Sequence, residues 1–132
     1  MGLLSGSRPG DLGLAAGRLR PGNWKPNWVS SQASADDSKH FIEPLRASGP
    51  IEEAWKTLER ALRAMPGATV VTSSPGYLHV EFASRVMGFV DDVEFALDGA
   101  AGVIHVRSGA RLGIDDLGVN RKRIEQIRSA LH

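Results

Sequence analysis

The sequence has no cysteine among its 132 residues. Disulfide bonds, thiolate metal sites and cysteine nucleophiles are therefore excluded. It also has no apolar run near the roughly 20 residues of a membrane span, and its start lacks the uninterrupted hydrophobic segment of a signal peptide. These absences lead us to expect a cytoplasmic protein that does not associate with a membrane.

The chain also lacks a large excess of positive or negative charge. Sixteen Lys and Arg residues stand against fifteen Asp and Glu residues, so the formal net charge is +1. Nonspecific attraction to nucleic acid or to an anionic membrane surface needs a strongly basic balance. We therefore expect no nucleic-acid partner. The length fits one domain with a single core.

Recognisable metal and cofactor motifs are also absent. The sequence contains no His-Glu-x-x-His, no EF-hand loop, no Gly-x-Gly-x-x-Gly and no phosphate-binding loop. We therefore predict no resident metal and no cofactor.

Residues 1–48 differ in composition from the rest of the chain. They are rich in Gly, Pro, Ser and Asn and show neither helical nor strand periodicity. We interpret them as an extended arm that packs on a single α+β domain, residues 49–132. Its large apolar side chains are expected to insert into that domain as anchors; they are Trp24, Trp28, Phe41 and Ile42.

The pattern after residue 48 predicts a helix, four strands and a second helix. Apolar residues recur at helical spacing from Ile51 to Met65, and Pro66 and Gly67 end that helix. A second amphipathic helix is predicted from about residue 117 to residue 131. Short connections favour a four-stranded antiparallel meander with both helices on one face, an α+β fold. The strands are predicted at residues 68–72, 77–83, 89–97 and 103–108.

Strand alternation gathers charge on the sheet face that the helices leave open. One interpretation is a metal-assisted hydrolase in which Asp92, Glu94 and His105 share acid and base work. The other is cross-strand ion pairing that keeps this surface soluble and in register. The second fits better, because perturbed catalytic groups belong in clefts and the pattern shows no cleft. The side chains expected on this face are His79, Glu81, Asp92, Glu94, His105 and Arg107.

Asp91 points the other way, toward the edge of the core. A carboxylate flanked by Phe89 and Val93 needs a charged partner if it is buried. We predict a structural ion pair with an arginine, and the candidates are Arg85, Arg107 and Arg111.

The last helix begins with an unfavourable cluster of positive charge. Arg121, Lys122 and Arg123 oppose the helix dipole, at a cost of about 0.3 to 1 kcal/mol each when exposed. Asp115 and Asp116 lie just upstream and offer local compensation, which is the simpler explanation. The alternative is an anion held by the free backbone N–H groups, Asn120, the basic cluster and Arg111.

Four motifs in order, between Tyr77 and Glu125, carry a family resemblance. They read Tyr-Leu-His-Val-Glu-Phe-Ala-Ser-Arg, Phe-Val-Asp-Asp-Val-Glu-Phe, Val-Arg-Ser-Gly-Ala-Arg-Leu-Gly and Asp-Leu-Gly-Val-Asn-Arg-Lys-Arg. Together with Asn-Trp-Val-Ser-Ser-Gln at residues 27–32, they resemble the family catalogued as domain of unknown function 1499, found in bacteria and plants. The resemblance implies no activity and no active site. The matching polar residues and glycine are candidates only: Glu81, Ser84, Asp91, Asp92, Glu94, Arg107, Ser108, Arg111, Asp116, Gly118, Asn120 and Arg121.

The chain departs from that family pattern at two places. The family usually has Cys where this chain has Trp28, often with another Cys near Gly22, so no thiol role remains here. The family's Ser and Tyr are replaced by Ala110 and Ile114, which weakens any proposal of hydroxyl chemistry at those positions.

These observations favour a non-catalytic binding module for an anionic small molecule or an acidic segment of a partner. Charge-assisted hydrogen bonds would come from Arg107, Arg111, Asn120 and Arg121. One alternative is the metal-assisted hydrolase, and another is a homodimer assembled through the arm. Structural polar roles are expected for Glu81, Ser84, Asp91, Ser108 and Asp116.

Overall fold

The computed structural model of the protein describes residues 6–84 and 89–131. Arg85, one of the arginines proposed to pair with Asp91, lies outside these residues. In chain order the elements are β1 (Leu14–Ala15), β2 (Arg18–Leu19), β3 (Trp28–Ser30), α1 (Ile51–Ala64), β4 (Ala68–Ser74), β5 (Tyr77–Ala83), β6 (Val90–Asp98), β7 (Val103–Ala110) and α2 (Val119–Ala130).

Helix α1 forms where the sequence places its start and stop signals. It begins after Pro50, and Glu52 and Glu53 in its first turn complement the helix dipole. It ends before Gly67, whose φ is 80°. A β-carbon at that position would lie 2.7 Å from the backbone oxygen of Ala83, so both the dihedral angle and the close approach require glycine.

The main sheet has five antiparallel strands, in the order β3-β7-β6-β5-β4. The α+β class is confirmed, but the prediction of a four-stranded sheet is wrong. The meander β4 to β7 exists, and β3 from the predicted arm pairs with the outer edge of β7. Strand β3 has three residues, which are too few to show strand alternation in the sequence. Its pairing with β7 satisfies backbone groups that an open edge of the sheet would leave unpaired. Strands β1 and β2 form a separate two-stranded sheet.

The core lies between one face of this sheet and the two helices. Leu58 and Leu62 of α1 and Ile124 and Ile127 of α2 are almost completely buried in it. Truncation of such a leucine to alanine typically costs about 2 to 5 kcal/mol. The sheet supplies Leu78, Val80, Phe82, Val93, Phe95, Ile104 and Val106.

Two of the four predicted anchors of the arm contact the domain: Ile42 is buried in the core, and Trp28 pairs with Gly109 of β7. Phe41 bridges to Ser30, and Trp28 stacks on His40 with ring centroids 3.9 Å apart, so these two contacts lie within the arm. Trp24 is 74% exposed, so its prediction as an anchor is wrong. The backbone oxygen of Asn23 accepts the indole N–H of Trp28, whose backbone pairs with Gly109.

Within the described residues, no helix is both long enough and apolar enough to cross a membrane.

Candidate functional site

The sheet face opposite the helices carries the charged cluster predicted from strand alternation. The register places Glu81 beside Asp92, and Glu94 beside both His79 and Arg107, as expected. The expectation that this face is open is wrong: Glu94 is 0% exposed and Asp92 is 5% exposed. The N-terminal residues 8–13 contact the cluster. The charged side chains on this face are therefore covered by the N-terminal segment.

Arg111 sits at one end of the cluster with its side chain 1% exposed. Its Nε donates to Asp92 Oδ2 at 2.7 Å, and its Nη2 donates to Asp92 Oδ1 at 2.9 Å and to Glu81 Oε2 at 2.5 Å. His79 Nε2 lies 2.8 Å from Asp92 Oδ1. These two carboxylates raise the pKa of Arg111, so it is a permanent cation.

The carboxylates around Arg111 are held in their charged form. Burial acts to raise the pKa of Asp92, but the hydrogen bonds from Arg111 and His79 outweigh it and lower the pKa below its ordinary value. Burial also acts to raise the pKa of Glu81, but hydrogen bonds from Arg8 and Arg111 outweigh it and lower that pKa. The region is a network of fixed charges.

Glu94 forms the centre of the same face. Its Oε2 accepts the backbone N–H of Gly13 at 2.8 Å and the hydroxyl of Tyr77 at 2.5 Å. Arg107 Nη1 lies 3.4 Å from Glu94 Oε1. Burial, together with the hydrogen bond to Glu94 and its charge, raises the pKa of Tyr77, so the phenol is a permanent donor.

Arg107 binds an acidic residue from the N-terminal segment. Its Nη2 donates to Asp11 Oδ2 at 2.6 Å, and its Nη1 donates to the backbone oxygen of Asp11 at 2.9 Å. The side chain of Arg107 is 11% exposed, whereas that of Asp11 is half exposed. The guanidinium thus takes one carboxylate oxygen and one carbonyl oxygen from this segment.

A cavity of about 160 Å³ lies between these two arginines. Among the residues that the structure describes, the buried Nη1 of Arg111 has no hydrogen-bond partner. A buried guanidinium N–H without an acceptor is costly and calls for an explanation at that position. The cavity is lined by Asp11, Trp28, Asp92, Glu94, Arg107 and Arg111, among others.

The three residues of the hydrolase hypothesis do not form one contact group. His105 Nδ1 lies 3.0 Å from Ser31 Oγ, and its Nε2 lies 3.5 Å from Asp98. Burial lowers the pKa of His105 despite the nearby Asp98. Asp92 is paired with a different histidine, His79. Alternation assigned the correct face, but it carries no information on which neighbours meet along that face.

A metal has a possible ligand set here, although not the predicted one. One ligand atom each from His79, Glu81 and Asp92 lies within 4.8 Å of the others. The carboxylates are already bound by the guanidinium of Arg111, which is held among them. A divalent cation would have to displace this buried arginine, so the donor set fits an arginine better than a metal.

Asn120 lies on the other side of the sheet, between β7 and α2. Its Oδ1 accepts the hydroxyl of Ser108 at 2.5 Å, and its Nδ2 donates to Asp116 Oδ2 at 2.8 Å and to the backbone oxygen of Asn27 at 3.2 Å. Asp116 also accepts the backbone N–H groups of Gly118 and Asn120. These bonds outweigh burial and lower the pKa of Asp116. The helix start is therefore neutralised locally, by Asp116.

Arg121 is separate from Arg107 and Arg111. It lines a different cavity, of about 540 Å³, together with Glu43, Glu125 and Arg128. Its Nη2 donates to the backbone oxygens of residues 38 and 39 at 3.5 and 3.3 Å. Of the four predicted ligand-binding residues, the structure thus brings together Arg107 and Arg111 and leaves out Asn120 and Arg121.

Asp91 forms the predicted ion pair with an arginine, but the pair is only partly buried and its partner was not considered. Arg123 Nη1 donates to its Oδ2 at 2.6 Å, and the same guanidinium lies 4.9 Å from the ring centroid of Phe82. Burial raises the pKa of Asp91 and Arg123 opposes that effect. Arg107 and Arg111 lie on the opposite face and make other pairs. Ser84, at the end of β5, donates its backbone N–H to the oxygen of Phe89.

Sequence reasoning missed the contribution of Arg8, Asp11 and Gly13. These residues occupy a segment without periodicity, and nothing in their spacing indicates which strand they contact. Tyr77 lies on the same face of β5 as Glu81, and its bond to Glu94 follows only from the packing of the two strands.

Residues 18–131 match the family described as Protein of unknown function (DUF1499). A search of curated proteins and a search of solved structures each found no match. The match spans the main sheet and both helices, whereas residues 8–13, which cover the charged face, precede it. The chain belongs to the DUF1499 family.

Proposed function

We propose that this protein is a non-catalytic binding module that takes an oxyanion, a carboxylate or a phosphate, in the cavity between Arg107 and Arg111. The observation that carries the proposal is the unpaired Nη1 of Arg111, a buried cationic donor in a residue that lines this cavity. An oxyanion that enters the cavity and reaches this N–H supplies the acceptor that it lacks.

The state of Arg107 supports the same ligand class. Its guanidinium already binds the carboxylate and the carbonyl of Asp11. A guanidinium fork matches the geometry of a carboxylate or phosphate, and charge-assisted hydrogen bonds are about twice as strong as neutral ones. The volume suits a group of side-chain size, since drug-sized ligands use cavities of about 300 to 1,000 Å³.

The charge network argues against acid and base catalysis here. Asp92 and Glu81 are held ionised by arginines. A general acid or base needs a pKa near the working pH. A cytoplasmic location and assembly as a homodimer remain predictions from the sequence.

The test is a thermal-shift and calorimetric panel of acetate, phosphate, sulfate and citrate at constant ionic strength. It uses the full chain carrying Asp11→Ala, which removes the Asp11 carboxylate from Arg107 and leaves Glu94 in place. A ligand of the native state raises stability by mass action, about 2.7 kcal/mol at a hundredfold excess over Kd. We expect at least one anion to bind, and Arg107→Gln in the same background to abolish binding.

The matched control is Arg121→Gln, which removes an arginine outside the cavity and is expected to leave binding unchanged. Arg107→Lys keeps the charge without the fork and guards against a folding defect in the glutamine variant. Binding that is absent from the Asp11→Ala protein, or that survives Arg107→Gln in a folded variant, would rule out this site.

A further inference from the structure

The N-terminal segment Arg8–Gly13 makes a set of specific polar contacts with the charged face. Arg8 Nε donates to Glu81 Oε2 at 2.8 Å, Asp11 gives two acceptors to Arg107, and Gly13 N–H donates to Glu94 at 2.8 Å. A cation, a carboxylate, a carbonyl and an N–H from one short peptide thus find partners on three strands, β5, β6 and β7.

The backbone turns away from the charged face directly after these contacts. Gly13 has φ 92°, a conformation that is strained for a residue with a side chain, and the chain continues from there into the β1 and β2 pair. The segment therefore crosses the charged face, lines the cavity through Pro9, Asp11 and Leu12, and departs, as a bound peptide would.

The contacts are also of a kind that another molecule can replace. The side chains of Arg8 and Asp11 are each about half exposed, whereas their partners on the sheet are largely buried. Exposed ion pairs add little stability. The permanent part of the site belongs to the sheet, and the segment is a weakly held occupant.

We infer that the charged face around Arg107 recognises a peptide, and that residues 8–13 are an internal occupant that competes with it. The ligand is a segment of a partner protein that carries a basic residue, an acidic residue three positions later and a glycine two positions after that. The cation meets Glu81, the carboxylate meets Arg107, and the N–H of the glycine meets Glu94. This inference rests on the proposed function, because the carboxylate of the peptide is the oxyanion that Arg107 binds.

Competition from within the chain determines what an assay detects. A tethered segment acts at an effective concentration of the order of millimolar. The apparent affinity for a free peptide is the intrinsic affinity multiplied by the fraction of time that the site is free of this segment. Weakening the internal segment therefore increases the affinity for the free one.

The experiment measures fluorescence anisotropy of a labelled peptide, Arg-Pro-Gly-Asp-Leu-Gly with capped ends, against the full chain. We expect the Asp11→Ala protein to bind at least about tenfold more tightly than the parent, because its own segment no longer offers a carboxylate to Arg107. A peptide with Asn in place of Asp is expected to lose this binding. Arg121→Gln in the Asp11→Ala background serves as the matched protein control and is expected to bind normally.

Each outcome separates the two proposals. If the Asp11→Ala protein binds acetate or phosphate but does not distinguish the Asp peptide from the Asn peptide, the anion site stands and peptide recognition falls. If it binds neither anion nor peptide, both fall. Equal affinity of the parent and Asp11→Ala for the peptide would overturn the competition. Light scattering compares the parent with Asp11→Ala at rising protein concentration. A dimer that forms in the parent but not in Asp11→Ala would overturn the separate partner, because the peptide would then come from a second copy of this chain.

Discussion

Arg111 holds Asp92 through two hydrogen bonds, from Nε to Oδ2 at 2.7 Å and from Nη2 to Oδ1 at 2.9 Å, and both side chains are almost fully buried. Removing one partner of a buried ion pair leaves the other charge uncompensated and typically costs about 3 to 5 kcal/mol. The pair thus stabilises the sheet face on which the proposed site lies.

The Asp92→Asn variant is expected to be less stable than the parent by an amount that depends on pH. The folded-state pKa of Asp92 lies below its ordinary value of 3.8. A depressed pKa stabilises the fold fully above 3.8, and this contribution disappears as the pH falls through the folded-state pKa. The difference in the free energy of unfolding is therefore about 3 to 5 kcal/mol at neutral pH and shrinks in acid, as measured by urea denaturation.

The neighbouring Asp91→Asn variant is the control, because burial raises the pKa of Asp91. A raised pKa favours the protonated acid, so the parent loses stability from this group as the pH rises through the folded-state pKa. The two stability differences should move in opposite directions with pH. A parallel change would contradict the assigned pKa directions.

Tyr77 is the single tyrosine of the chain, so its ionisation is visible in the ultraviolet spectrum. Burial and the bond to Glu94 raise its pKa above the ordinary value of 10.0. We expect an alkaline titration of the folded protein to show no tyrosinate at pH 10.0, and Glu94→Gln to lower the midpoint. Burial is the larger cause, so the midpoint of that variant still lies above 10.0. A titration midpoint at or below 10.0 in the folded parent would count against the hydrogen bond between Tyr77 and Glu94.

Asn120 is expected to be structural. Its side chain joins Ser108, Asp116 and the backbone of Asn27, and Asn120→Ala leaves buried partners unsatisfied. We expect a loss of about 1 to 3 kcal/mol in chemical denaturation. Arg121→Ala on the same helix is expected to change stability by no more than about 0.5 kcal/mol. Equal effects of the two substitutions would refute the role assigned to Asn120.

Gly22 is required by its contact with Trp28. A β-carbon at position 22 would lie 2.2 Å from Cε2 of the indole, which stacks on His40. Gly22→Ala is therefore expected to displace the ring and cost about 1 to 3 kcal/mol, measured by denaturation together with tryptophan fluorescence. Gly49→Ala is the control, because nothing lies within 4 Å of a β-carbon there. A stable variant with unchanged fluorescence would show that the ring has other room.

Side-chain chemistry along the chain was sufficient to predict the two helices, the four meander strands and the faces of the sheet. Alternation in Tyr77–Ala83 assigned His79 and Glu81 to the face away from the core, and the register agrees. These features follow from local periodicity, because a strand exposes one face to the core and the other away from it.

Tertiary structure alone decided which charges meet and what covers them. Strand β3 joins the sheet through backbone hydrogen bonds, which no side-chain pattern reports. Asp91 pairs with Arg123, 32 positions along the chain, and Arg107 pairs with Asp11, 96 positions away. Arginine side chains are long enough to reach several neighbouring positions, so their partners depend on how α2 and the N-terminal segment dock on the sheet.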